Sequence, residues 1–314
     1  MAFETLIDVD SLRTLLAAGT AGAASGAGVT VIDCRFDLMN PGAGRQAYQA
    51  GHIPGAVYAD LNRDLSARPT SASGRHPLPD PDAFASWLRT RGVGNSTQVV
   101  AYDDANGSYA ARLWWMLRWL GHTQVAVLDG GIKAWVAEGG ALQAGPVAAA
   151  PAQPRPAQQQ PTQSQPGSGF SPRVDATAVI SSAELADRLR TPRGLRAPHS
   201  LLVDARSALR YAGKVEPLDS VAGHVPGAVN HPFTENLAPD GRFLPAAELR
   251  RRWDARLAGT PPAAVMAMCG SGVTACHNLL SLEVAGLRGA KLYAGSWSEW
   301  IRDPKRPIAR GDAP

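Results

Sequence analysis

The sequence is short of the features that mark several common protein classes. It has only three cysteines in 314 residues, Cys34, Cys269 and Cys276. They form no C-x-x-C pair and no metal-ligand spacing, so free thiols are expected in place of a disulfide framework or a zinc site. No apolar stretch is long enough to cross a bilayer. The start, Met1 to Leu16, carries acids at Glu4, Asp8 and Asp10, where a secretory signal has a basic beginning and an unbroken apolar middle. A cytoplasmic chain without membrane association is therefore expected. The formal net charge is only +4, and the basic residues are scattered singly or in pairs with no run interleaved with aromatics. Nucleic acid is not the expected partner; a small anion suits this mild excess at least as well. A Gly-Lys-Ser/Thr ending is missing too, which removes a Walker-type nucleotide loop. What remains is a chain 45% hydrophobic and 18% charged, a balance suited to packed domains, at a length suited to two of them.

The chain repeats itself. Val31-Ile32-Asp33-Cys34-Arg35 is answered by Leu202-Val203-Asp204-Ala205-Arg206, and Gly51-His52-Ile53-Pro54-Gly55-Ala56-Val57 by Gly223-His224-Val225-Pro226-Gly227-Ala228-Val229. Asp129-Gly130-Gly131-Ile132-Lys133-Ala134-Trp135 is matched more loosely by Ala294-Gly295-Ser296-Trp297-Ser298-Glu299-Trp300. Three landmarks in one order predict two copies of a single unit. Between them a Pro-, Gln- and Ala-rich stretch reads as an extended linker. The expected division is 1–145, a linker over 146–172, and 173–314. Apolar β-branched runs at 29–33, 99–102 and 125–128 recur at 201–204, 265–268 and 291–293, and helical segments separate them. Among these, Ser181-Ser182-Ala183-Glu184 reads as a capping box, and 110–120 as a helix whose tryptophans are buried. Alternation of this kind predicts an α/β fold with a mostly parallel sheet in each unit, flanked by helices, and ligands at the carboxyl ends of the strands.

One segment invites chemistry: Met268-Cys269-Gly270-Ser271-Gly272-Val273-Thr274-Ala275-Cys276. A strand ends at Cys269, glycines flank Ser271, and a helix is expected from about Val273. Backbone N–H groups in such a turn can point inward, and a helix N-terminus adds unpaired donors, so a thiolate or persulfide anion is stabilised there. The plainer alternative is a small buried cysteine at a strand end. Cys34 has no glycine cradle and reads as structural; Cys276, placed two turns into the helix, reads as core. His52 and His224 occur in both units and read as fold residues, while Asp204 and Arg206 are expected to pair near their strand end. Asp103 stands where Cys269 stands in the other copy.

With these residues in view, the chain resembles the tandem-domain rhodanese family. Cys269-Gly270-Ser271-Gly272-Val273-Thr274-Ala275 is similar to its active loop, the two Gly-His-x-Pro-Gly-Ala segments to its recurring landmark, and Gly295 to Trp300 to its C-terminal signature. The resemblance implies two rhodanese-like domains, the second catalytic. It implies sulfur transfer in two displacements through a Cys269 persulfide, with no metal or organic cofactor. The loop residues Gly270, Gly272, Val273 and Thr274 are then expected around the substrate. The donor would be a small anionic sulfur compound, and the acceptor cyanide or a thiol such as thioredoxin or glutathione. Family members resembling thiosulfate enzymes carry basic residues after the cysteine, whereas the neutral Gly-Ser-Gly here resembles the 3-mercaptopyruvate enzymes. Two unit charges at ~4 Å in an effective dielectric of ~20 interact by roughly 4 kcal/mol, so absent cations matter more to a dianionic donor. Thiosulfate is the alternative donor, and a non-catalytic binding module of the same fold a remote one.

The same resemblance implies a proton shuttle of Ser271 with a first-domain histidine, matched by His76, and an acid. The acid's position is held by Asn62, so Asp60 or Asp64 is expected to substitute. Arg210 matches an arginine that grips the donor's carboxylate; a second is expected just after Glu216-Pro217, where Leu218 stands. A phosphatase or arsenate reductase would need an arginine six residues after the cysteine, and Ala275 is there. Residues 303–314 read as a polar tail without an assignable role.

Overall fold

The computed structural model describes residues 2–21, 28–145, 169–191, 194–195 and 198–313. The first unit runs β1 (Leu6–Ile7), α1 (Val9–Ala21), β2 (Val29–Asp33), α2 (Ala43–Ala50), β3 (Val57–Tyr58), α3 (Pro81–Arg89), β4 (Gln98–Tyr102), α4 (Ala110–Trp119), β5 (Val125–Leu128) and α5 (Gly131–Ala137). The second runs α6 (Ser182–Arg190), β6 (Leu201–Asp204), α7 (Ala208–Tyr211), β7 (Val229–Asn230), α8 (Ala246–Leu257), β8 (Val265–Met268), α9 (Thr274–Val284), β9 (Lys291–Leu292) and α10 (Ser296–Trp300). Each unit builds one parallel sheet, in the order β1-β5-β4-β2-β3 and β7-β6-β8-β9. The central strands β4, β5, β6 and β8 are buried at every residue, which is why they read as continuous apolar runs without alternation.

Local signals explain the element ends. Ser181 accepts from the Glu184 N–H while Glu184 accepts from the Ser181 N–H, the reciprocal cap expected from sequence. Asp80 caps α3, and Pro81 occupies its first turn. The helix after the cysteine loop opens at Thr274, so Cys276 lies in its first turn, not two turns in as expected. Gly270 to Val273 are consumed by the turn that redirects the chain from strand to helix.

The two units share a packed seam. α4 lies against α9 of the other unit, and every residue of α4 except Arg118 is buried. One apolar cluster runs continuously from Trp114, Trp115 and Trp119 to Leu279 and Leu280. Residues 146–168 of the expected linker lie outside the described residues. Its end, 169–172, follows the first unit: Phe170 is buried edge-on against His122, and Ser171 N–H donates to Asn95. Arg173 and Asp175 continue the path by donating their N–H groups to Leu120 and Trp119 carbonyls.

The tail is not idle. Ala309 exchanges both backbone hydrogen bonds with His224, Gly311 N–H reaches Ala212 O, and Lys214 pairs with Asp312. These contacts bind 303–313 onto the second unit, correcting the expectation of a tail without a role. His52 and His224 stack on Tyr48 and Tyr211, fully buried, as fold residues should. Asp33–Arg35 and Asp204–Arg206 form the same buried ion pair, each 2.6 Å.

Candidate active site

Cys269 follows β8, on the carboxyl side of the sheet, and is 2% exposed. Its carbonyl accepts from Trp297 N–H and its own N–H donates to Ser296 Oγ, so both backbone groups are held by α10 and the residue opening it. The Gly272 N–H donates to Cys269 Sγ at 3.2 Å. An amide thus faces the sulfur, as an anionic sulfur requires. Gly272 has φ +77°, and an added Cβ would collide with the Ala294 carbonyl; the turn needs a residue without a side chain.

A cavity of about 500 Å³ opens on this loop. Cys269, Gly270, Ser271, Val273 and Thr274 line one wall, and Arg75, Arg206 and Arg210 contribute guanidinium groups to it. The loop residues singled out from sequence are therefore together, with Gly272 behind the sulfur.

Ser271 and His76 meet across the seam, with Ser271 Oγ 2.7 Å from His76 Nδ1. His76 Nε2 lies 3.1 Å from Asn62 Oδ1. With the amide oxygen accepting from Nε2–H, Nδ1 keeps its lone pair and the serine hydroxyl donates to it. The expectation that Asp60 or Asp64 supports the histidine is corrected: Asn62 does so. Asp60 is occupied locally, accepting from the N–H groups of Asn62 and Arg63, and Asp64 accepts from Asp60 N–H. Burial, then the charges of Arg112 and Arg75, hold His76 down at about 3. The imidazole is neutral at ordinary pH and available as a proton acceptor.

Arg210 is on the cavity wall but not free. It makes a forked pair with Glu216 and a second contact to Asp219. Glu216 also lies 3.4 Å from Arg206.

Two arginines went unnoticed in the sequence. Arg112, on α4, is wholly buried. Its guanidinium donates to Gly272 O at 3.0 Å and to His76 O at 3.1 Å, tying the cysteine loop to the histidine loop. It interacts electrostatically with Cys269 and Cys276, so a buried positive charge sits behind the sulfur. Arg75, next to His76, reaches over the seam to Asp219. An arginine inside a tryptophan-rich helix was the only available hint for Arg112; nothing local singles out Arg75. Cys34 and Cys276 are both buried, and burial pushes both thiols up, Cys276 to about 12. That holds them as unreactive thiols.

Compared with known proteins, residues 15–138 and 181–303 each match the family model of a rhodanese-like domain. A relative in Pseudomonas aeruginosa, named "Probable 3-mercaptopyruvate sulfurtransferase", is 47% identical over 97% of this chain and 100% of its own. The mitochondrial thiosulfate/3-mercaptopyruvate sulfurtransferase 1 of Arabidopsis thaliana is 35% identical over 84% of this chain and 69% of its own. Among solved structures, SseA from Escherichia coli, described with the 3-mercaptopyruvate sulfotransferases, superposes with a TM-score of 0.71 at 29% identity, covering 95% of this chain and 100% of that one.

Proposed function

This chain belongs to the rhodanese-like family and is a sulfurtransferase; from that premise we propose that it takes sulfur from 3-mercaptopyruvate onto Cys269 and passes it, as a persulfide, to cyanide or to a thiol such as thioredoxin or glutathione. The Cys269 thiolate attacks the donor sulfur, the carbon–sulfur bond breaks, and its electron pair leaves on carbon as the enolate of pyruvate. A proton moves from the donor's thiol to that carbon, leaving Cys269 as a persulfide anion and releasing pyruvate. An acceptor thiol then attacks the outer sulfur, departs as its own persulfide, and restores the Cys269 thiolate.

The observation that carries the choice of donor is the 2.7 Å contact of Ser271 with His76 beside Cys269. An enolate needs a proton at carbon, whereas thiosulfate releases sulfite, a stable anion that needs none. A serine hydroxyl backed by a neutral imidazole can take the proton from sulfur and return it to carbon. The loop itself, Gly270-Ser271-Gly272, adds no cation of its own beside the sulfur for a dianionic donor. Arg210, on the cavity wall, is proposed to meet the donor's carboxylate, and Gly272 N–H with the Arg112 charge to favour the persulfide anion.

The test is steady-state kinetics with both donors and cyanide as acceptor. The expected kcat/KM for 3-mercaptopyruvate exceeds that for thiosulfate by at least about tenfold, and Ser271→Ala lowers the 3-mercaptopyruvate kcat by about 100-fold with a smaller loss on thiosulfate. A preference for thiosulfate, or equal losses on the two donors, would overturn the assignment.

A further inference from the structure

Cys269 is 2% exposed, so any acceptor must bring its thiol down into the cavity of about 500 Å³ that opens on the sulfur. A second cavity, of about 470 Å³, adjoins the first. The two share Leu38, Arg75 and Leu218 as lining, while Asn62 and His76 line the second alone. Much of the second wall is apolar: Phe36, Ala67 and Pro69 join Leu38 and Leu218, with the exposed Arg302 on its polar side. A three-carbon donor ending in a thiol and a carboxylate has no apolar side chain to place there, and neither has cyanide. Of the reactants in the proposed sequence, a thiol acceptor with a neighbouring side chain is the one that can use this space.

The residue dividing the two cavities also reaches the surface. Among the described residues eight large hydrophobic side chains are exposed, and Leu38, at 40%, is the one of them that lines either cavity. Met39, next to it, is 78% exposed, the highest of the eight. A single exposed leucine means nothing by itself; one standing between two cavities, with the nucleophile in one of them, lies where a partner must pass. The tip is held in place by its own turn. Asp37 Oδ1 accepts from Met39 N–H at 2.7 Å and from Asn40 N–H at 3.2 Å. A surface fixed before binding loses little freedom when a partner arrives.

We propose that the second cavity is an acceptor subsite. It takes the apolar side chain of the residue next to the acceptor's cysteine, while that cysteine enters the first cavity and Leu38 and Met39 lie along the acceptor chain. The acceptor class is then a peptide or protein thiol with an apolar neighbour, in preference to glutathione, whose cysteine is flanked by a glutamyl group and glycine. The inference rests on the thiol-acceptor half of the function proposed above and names which thiols that half selects.

The experiment uses the full-length protein with the better of 3-mercaptopyruvate and thiosulfate saturating, and varies the acceptor. Cyanide, N-acetylcysteinamide, glutathione, N-acetyl-leucyl-cysteinamide and N-acetyl-cysteinyl-leucinamide are compared. The better of the two leucine peptides is expected to exceed N-acetylcysteinamide in kcat/KM by about tenfold, through KM, since one leucine side chain leaves water. Glutathione should stay close to N-acetylcysteinamide. Ala67→Phe, which fills the second cavity, and Leu38→Ser, which removes its apolar divider, should each abolish most of the leucine preference. The rate with cyanide in the same variants reports folding and the first displacement. Leucine peptides no better than N-acetylcysteinamide, a preference for glutathione, or a leucine preference that survives both variants would overturn the subsite while leaving sulfur transfer to thiols intact. Transfer to cyanide with every thiol inert would instead overturn the thiol acceptor and this inference together.

Discussion

The two units carry the same strand–turn–helix, and in each the turn points backbone N–H at the side chain of one residue, four of them in the first unit and one in the second. In the first unit that residue is Asp103, wholly buried. Its two carboxylate oxygens accept from the N–H groups of Ala105, Gly107, Tyr109 and Ala110, at 2.8 to 2.9 Å. Burial pushes its carboxyl up, and those four donors oppose the shift. In the second unit the residue is Cys269, with one N–H on its sulfur at 3.2 Å and a cavity in front. The turn is an anion cradle in both copies. Filled from within by a carboxylate, it holds the fold together; occupied by a smaller, weaker acceptor and left open, it has room for a second sulfur.

The largest effect expected from this contrast is on activity. Cys269→Ser should lower sulfur transfer by more than about 1000-fold, because the hydroxyl is a poor nucleophile at neutral pH, with circular dichroism unchanged. Transfer that persisted would move the chemistry elsewhere. Stability should show the reverse asymmetry. Asp103→Ala strands four N–H groups, two buried and two part-buried, and should cost about 3 kcal/mol or more in denaturant unfolding, whereas Cys269→Ala gives up one weak acceptor and should cost about 1 kcal/mol or less. Equal costs would mean that the first cradle is not held by its carboxylate.

The smallest effect concerns pH. Asn62 gives His76 a neutral partner, and the ring is held at about 3. A folded-state value below that of the unfolded histidine means the unfolded chain binds the extra proton, so stability falls as pH drops from about 6.5 towards about 3. Asn62→Asp puts a carboxylate beside Nε2 and should raise the His76 value. The rate with 3-mercaptopyruvate should then fall as pH drops through that raised value, giving an acid limb that the unmodified protein does not owe to His76. Identical pH–rate profiles would remove the histidine from the relay.

Much of this was legible in the chain. The duplication, the six strand runs, the capping box at Ser181 and the cysteine loop each depend on neighbours a few residues apart, and local pattern carries such information. His76 and Ser271, matched separately through a family resemblance, were brought together by the fold across 195 positions. What escaped depends on contacts between the units. Arg112 reaches the loop from a helix 160 positions away, and Arg75 meets Asp219 at a separation of 144. No periodicity in either segment encodes the other. Asp60 and Asp64 misled for the opposite reason: close in sequence to the expected acid, they spend their oxygens on their own turn. The tail looked idle because its contacts, the backbone pairings with His224 and Ala212 and the Lys214–Asp312 ion pair, join positions far apart in the chain, which composition does not report.

The most direct measurement is mass spectrometry of the intact protein and its peptides after stoichiometric 3-mercaptopyruvate, with acceptor withheld. One added sulfur, located on Cys269 and removed by cyanide, is the expected result. No added sulfur, or sulfur on Cys34 or Cys276 with Cys269 unmodified, would contradict the proposal that the open cradle of the second unit carries the transferable atom.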